Sequence, residues 1–132
     1  MILKFWNNHW RSILWAAFIL VLCGIPGNEL NKVKIINIPH LDKFVHFFLY
    51  FVFTLLLISE NNPQKYNSTV TVKAFLMAAA FALSYGALIE ILQKVLFVGR
   101  GADIWDMVAN TSGFLLASLA YRPINRITEG YL

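Results

Sequence analysis

Eight polar residues, in three short stretches of the sequence, have the types and spacing for chemistry. Asp42 and His46 are four apart, so on a helix they share a face. Glu90 and Gln93 are three apart, Arg100 sits in "GRG", and Asp103, Asp106 and Asn110 are spaced three and four. Acids and amides of this kind meet hydroxyls, and an arginine grips a phosphate or carboxylate. A histidine oriented by an acid, here His46 by Asp42, can serve as a general base. Glu90, Asp103 and Asp106 offer oxygen ligands of the sort that suit Mg²⁺. Each residue also has a plainer role. Asp42 suits the first turn of a helix after Pro39, and Asp103 with Asp106 has capping-box spacing. Glu90 resists such a reading. Lys94, four residues on, is a partner within reach, but an ionisable residue inside an apolar segment is costly and marks a functional site by default.

The elements that must position these residues follow from composition. The chain has 132 residues, 58% of them hydrophobic and only 14% charged. Too few charges remain to cover a water-soluble protein of this size, so the expected class is an integral membrane protein. About 20 residues cross roughly 30 Å of hydrocarbon as a helix, and four such spans are expected, at 6–25, 41–59, 72–98 and 104–121. Pro26–Gly27 ends the first, "ENNPQKYNST" (Glu60 to Thr69) separates the second and third, and Arg122–Pro123 ends the fourth. Lys4 and Arg11 before the apolar run Ser12 to Ile25 resemble a signal peptide, but Cys23 and Ile25 make a poor cleavage site. The first span is therefore read as retained. The expected fold is all-α, a single-domain bundle of four antiparallel transmembrane helices. In such a bundle the start of span 2, the end of span 3 and the start of span 4 meet at one membrane face, which gathers all eight polar residues there. Ala109, Gly113 and Ala117, at four-residue spacing, form a small-residue stripe for close helix packing. Among the phenylalanines of span 2, Lys43 is expected to snorkel to the interface.

The net charge of +4 comes from scattered lysines and arginines beside the apolar runs. That pattern suits lipid headgroups and gives no nucleic-acid patch. Cys23 is the sole cysteine, so there is no internal disulfide and no cysteine-based metal cluster, and no cofactor is legible. With the amino end in the cytoplasm, Lys4, Arg11, Lys65, Lys73, Arg122 and Arg126 lie inside. Lys32, Lys34, Lys43, Lys94 and Arg100 lie on the other side. The positive-inside rule thus leans slightly toward N-in, which puts the polar cluster on the outer face.

Three stretches together, "DKFVHFFLYF" (Asp42 to Phe51), "YGALIEILQ" (Tyr85 to Gln93) and "GRGADIWDMVANTSG" (Gly99 to Gly113), resemble the VanZ-like membrane protein family. The matching positions are Asp42, Lys43, His46, Glu90, Gln93, Gly99, Arg100, Asp103, Asp106, Asn110 and Gly113. Val98 stands where a proline often precedes the Gly-Arg pair. The resemblance implies a small multispan helical protein of the bacterial cytoplasmic membrane. The family takes its name from a member tied to low-level resistance to the glycopeptide teicoplanin, and no established biochemical activity comes with it. The expected function is to bind or modulate a lipid-linked or cell-envelope component through the polar cluster. The alternatives are an intramembrane enzyme acting on a lipid phosphate or related ester, and a purely structural cluster.

Overall fold

A computed structural model describes residues 2–25, 40–62, 69–96 and 103–129, with side chains from Asn8 onward. The turn at Pro26–Gly27, residues 28–39 and 63–68 of the two polar stretches, the side chain of Trp6, and Val98, Gly99, Arg100 and Gly101 fall outside the described residues. Four helices account for nearly all the rest: α1 (Ile2–Gly24), α2 (Leu41–Asn61), α3 (Val72–Val95) and α4 (Ile104–Ile127). Of these, α2 and α3 are each long and apolar enough to cross a membrane.

Around a buried apolar core that includes Ile19, Phe53, Ile58, Ile89 and Phe114, the bundle is apolar on its outer surface as well, and several polar residues lie inside. Phe44, Phe48, Leu76, Phe81, Ile91 and Leu119 point outward, while His46, Thr54, Ser59, Glu90, Gln93, Asp106 and Asn110 are buried. In hydrocarbon the apolar side chains lose nothing by facing out, whereas a polar group must find its partner within the bundle.

Each helix packs through a stripe of its own. On α3 the stripe is Ala74, Ala78, Ala82 and Gly86 at four-residue spacing, all buried, and it leads directly to Glu90. On α2 it is polar, His46, Tyr50 and Thr54, again four apart and buried. On α4 it runs through Asp106, Asn110, Gly113, Ala117 and Tyr121. Contact is most extensive between α2 and α4. Gly113 and Ala117 take part in it, but Ala109 is only half-buried. The stripe read from the sequence is therefore shifted: its upper member opens onto the surface instead of closing the interface. Hydrogen bonds to backbone carbonyls dock α1, among them Trp15 Nε1 to Leu49 O at 2.9 Å and Tyr85 Oη to Ala16 O at 2.6 Å.

Two helix ends differ from expectation. α4 does not stop at Arg122–Pro123 but continues through Pro123 to Ile127. A proline inside a helix forgoes one hydrogen bond and crowds the carbonyl four residues back, at a cost of about 3 kcal/mol. Burial of Tyr121 before it and Asn125 after it holds the last turn in place. α2 runs on to Asn61, so Glu60 belongs to the helix and not to the following loop. Its side chain is buried, with Oε1 accepting from the Ser12 backbone N–H at 3.1 Å and lying 3.9 Å from Arg11 Nε. His9, where α1 leaves helical geometry, lies 3.5 Å from Oε2.

The close approach of α2 and α4 depends on Gly113. A Cβ there would fall 2.3 Å from the Phe47 carbonyl oxygen and 3.0 Å from the Phe51 nitrogen, both backbone atoms that cannot rotate away. At Gly86 it would meet the Asn110 side-chain amide at 3.4 Å, an ordinary contact. Gly113→Ala is expected to cost about 2 kcal/mol by overpacking, and Gly86→Ala well under half of that. Thermal unfolding in mild detergent checks the order, and equal midpoints for the two variants would contradict it.

Candidate functional site

The beginning of α2, the end of α3 and the beginning of α4 meet at one end of the bundle, around the ammonium of Lys43. Its Nζ donates to Asp103 Oδ2 at 2.5 Å, Asp106 Oδ1 at 2.6 Å and Asp42 Oδ2 at 2.8 Å. Three charge-assisted hydrogen bonds use all three ammonium protons. A lysine expected to reach out to the interface instead turns inward, because three carboxylates converge on it. The motif Asp-Lys-x-x-His contained this residue, but only the fold brings acids 60 and 63 positions later to the same point.

The local causes are visible at the helix starts. His40 takes the N-cap position of α2 with φ 61° and no side-chain cap, and Asp42 lies in the first turn, where a negative charge suits the helix dipole. Asp103 caps α4, its Oδ1 accepting from the Trp105 N–H at 2.9 Å. A capping box would use Asp106 to accept from the Asp103 N–H. Here Glu90 of α3 does so instead, through Oε2 at 3.1 Å. This exchange ties α3 to the start of α4 and frees Asp106 for Lys43 and His46. No ion pair joins Glu90 to Lys94 among the described residues, and Lys94 is exposed.

Behind the lysine the site becomes buried. His46 Nδ1 lies 3.1 Å from Asn110 Oδ1, and its Nε2 lies 3.7 Å from Asp106 Oδ2. Asp42 does not orient His46: among the described residues no bond joins them, and Asp42 is committed to Lys43. Gln93 is buried but turned to α1, where Nε2 donates to Cys23 O at 3.3 Å. Of the eight sequence candidates, Asp42, His46, Glu90, Asp103, Asp106 and Asn110 are thus brought together, Gln93 is not, and Arg100 lies outside the described residues. The structure adds Lys43 and Tyr50. Tyr50 is one turn beyond His46, is 1% exposed, and its ring and hydroxyl lie against Gly86 close to the Asn110 amide. The polar spacing His46–Tyr50–Thr54 was the available signal for it.

The family description VanZ/LLP1 matches residues 2–126. The chain belongs to the VanZ/LLP1 family. All three stretches that resemble the family lie inside that match. No curated protein and no solved structure matches the chain. VanZ/LLP1 membership and the two long apolar helices fit a membrane location.

Toward the outside, the Lys43 cluster floors a cleft of about 660 Å³. Its polar end is His40, Asp42, Lys43 and Asp103, and its wall continues along Trp105, Val108 and Ala109 of α4. Lys43 also holds the Asp103 carboxyl below the ordinary aspartate value of 3.8. A carboxylate lowered on folding contributes stability above its unfolded pKa and loses it as pH falls through the folded one. Lys43→Met is expected to destabilise the protein by about 3 kcal/mol, because Asp106 is left buried without its cation. The share of that gap carried by Asp103 is expected to be present above the ordinary aspartate value and to be lost as the pH falls through the lowered one. Unfolding midpoints across that range check the sign, and a gap that widens on acidification would contradict it.

Proposed function

We propose that this chain binds the polar headgroup of a lipid or lipid-linked envelope component at one face of the bacterial cytoplasmic membrane. The carrying observation is the cleft, whose charged floor passes directly into an apolar wall. Trp105 is 64% exposed, and its indole, with Val108 and Ala109, offers an acyl chain a surface to lie along while the headgroup meets Asp42, Lys43 and Asp103. An aromatic ring at the edge of a polar site suits the membrane interface. Arg100, three residues before Asp103 in the sequence, is the cation this reading assigns to a phosphate or carboxylate. All four helices cross the membrane in this reading, with the amino end inside, so that the cleft faces outward where wall precursors and glycopeptides meet. Occupancy of the cleft would then alter susceptibility to teicoplanin.

A second, structural reading is favoured by one observation: Lys43 already has three carboxylate partners, which ties two helix ends regardless of any ligand. The two readings part at Trp105. Its removal disturbs no buried contact, so a structural cluster is indifferent to Trp105→Ala.

Lipids retained by the purified protein, identified by native mass spectrometry, test the proposal. Trp105→Ala and Arg100→Ala are expected to reduce retention about tenfold, equivalent to roughly 1.4 kcal/mol, with the unfolding midpoint of Trp105→Ala unchanged. Unchanged retention in both variants would remove the headgroup reading in favour of the structural one. Growth of a deletion strain against teicoplanin, restored by wild type but not by Trp105→Ala, is the expected cellular counterpart.

A further inference from the structure

We propose that His46, Glu90 and Asp106 form a binding site for a first-row divalent metal ion of the zinc type. One residue comes from each of α2, α3 and α4, all three are buried, and one ligand atom from each lies within 4.8 Å of the others. The set differs from the Glu90, Asp103 and Asp106 read from the sequence. Asp103 is turned to Lys43, and an imidazole takes its place.

The hydrogen bonds around the three side chains leave acceptors facing acceptors. His46 Nδ1 lies 3.1 Å from Asn110 Oδ1; in the tautomer that donates to this oxygen, the lone pair is on Nε2. That lone pair faces Asp106 Oδ2 at 3.7 Å, too long for a hydrogen bond. Asp106 Oδ1 is already held by Lys43, so Oδ2 is the oxygen left to bind. Glu90 uses Oε2 on the Asp103 N–H, while its Oε1 has no hydrogen-bond partner although the residue is only 5% exposed. A buried carboxylate oxygen without a partner is costly. Two carboxylates and an imidazole lone pair converging in a buried space need a cation between them.

Lys43 does not meet that need. Its ammonium is shared among three aspartates, and Glu90 is not one of them. Among the described residues, four carboxylates therefore lie at this end of the bundle with one ammonium, which reaches three of them. A divalent ion offsets two of them. Ligands at about 2.1 Å from one ion stand roughly 3.4 Å apart in a tetrahedral site, so side-chain adjustments of about 1 Å close the set. One imidazole with two carboxylates suits Zn²⁺, Mn²⁺ or Fe²⁺ better than the all-oxygen shell of Mg²⁺. The outer shell is of the kind that orients metal ligands: an amide oxygen fixes the imidazole tautomer and an ammonium holds the far carboxylate oxygen.

The test uses the full chain in detergent, stripped with a chelator and loaded with Zn²⁺, Mn²⁺ or Co²⁺ alone. The expected result is one tightly held ion per chain and a higher unfolding midpoint in the loaded protein. Glu90→Gln and Asp106→Asn are expected to weaken binding more than a hundredfold, and Asn110→Ser, through the imidazole, by 10- to 100-fold. Glu129→Gln, an exposed carboxylate just past the far end of α4, is expected to bind as wild type does. Should the buried variants fail to fold, the Co²⁺-loaded wild type decides, since its spectrum reports imidazole nitrogen bound to the metal. Stripped wild type that takes up less than a tenth of an ion per chain would overturn the proposal. So would a Co²⁺ spectrum without nitrogen ligation, or equal losses in Glu129→Gln and Glu90→Gln.

Discussion

The Lys43 ammonium and the three carboxylates around it set what the rest of this end of the bundle can do. An ammonium with all three protons committed at 2.5 to 2.8 Å fixes the start of α2 against the start of α4. Glu90 then brings in α3 by accepting the first free N–H of α4. A salt bridge on an exposed surface contributes little because both partners retain water. Here Asp106 is buried, and losing the lysine would leave its charge uncompensated. Cluster and helix arrangement therefore depend on one another: the helices meet there because the charges pair, and the charges can be carried inside because the helices meet.

Packing decides the register in which they meet. With no Cβ at Gly113, the backbone of α4 comes to within contact of the α2 backbone at Phe47 and Phe51. One turn and two turns nearer the end, Asn110 and Asp106 then stand opposite His46 and Lys43. Backbone proximity supplies this precision, because the α4 backbone at Gly113 fits only where no Cβ would meet Phe47 and Phe51. The outward Phe and Leu side chains are interchangeable in that respect, whereas Gly113 and the polar stripe of α2 are not.

Much of the site was legible from spacing. Asp106 and Asn110 share a helix face wherever the helix lies, and a short connection between α3 and α4 requires their ends to meet. Four features were not legible, each for a physical reason. A lysine at a helix start can extend to solvent or turn inward, and only the positions of Asp103 and Asp106 decide. The N–H of Asp103 was assignable to Asp106 by local rules, but a carboxylate 13 residues earlier reaches it first. Pro123 reads as a stop because the local penalty is visible, while the burial of Asn125 that outweighs it is not. Glu60 looked like the first residue of a polar loop, since its partners lie 48 residues away.

Glu60 also clarifies what a cluster of purely structural polar groups looks like in this protein. There, one carboxylate faces the Ser12 N–H, the Arg11 guanidinium and the His9 imidazole. Three donor-bearing groups surround this one carboxylate, although Oε2 makes no hydrogen bond, and the arrangement joins α1 to α2 while closing the break in α1 at His9. Among the described residues, the Lys43 end has a different balance: three aspartates share a single ammonium, the Glu90 carboxylate stands beside them, and Glu90 Oε1, like Glu60 Oε2, makes no hydrogen bond. A bundle that needed only to hold its helix ends together could do so with the Glu60 pattern. Buried acceptors in excess of donors raise the free energy of the fold unless something positive or proton-bearing joins them. That imbalance, more than the number of polar residues, separates a site with a partner to bind from a tie between helices.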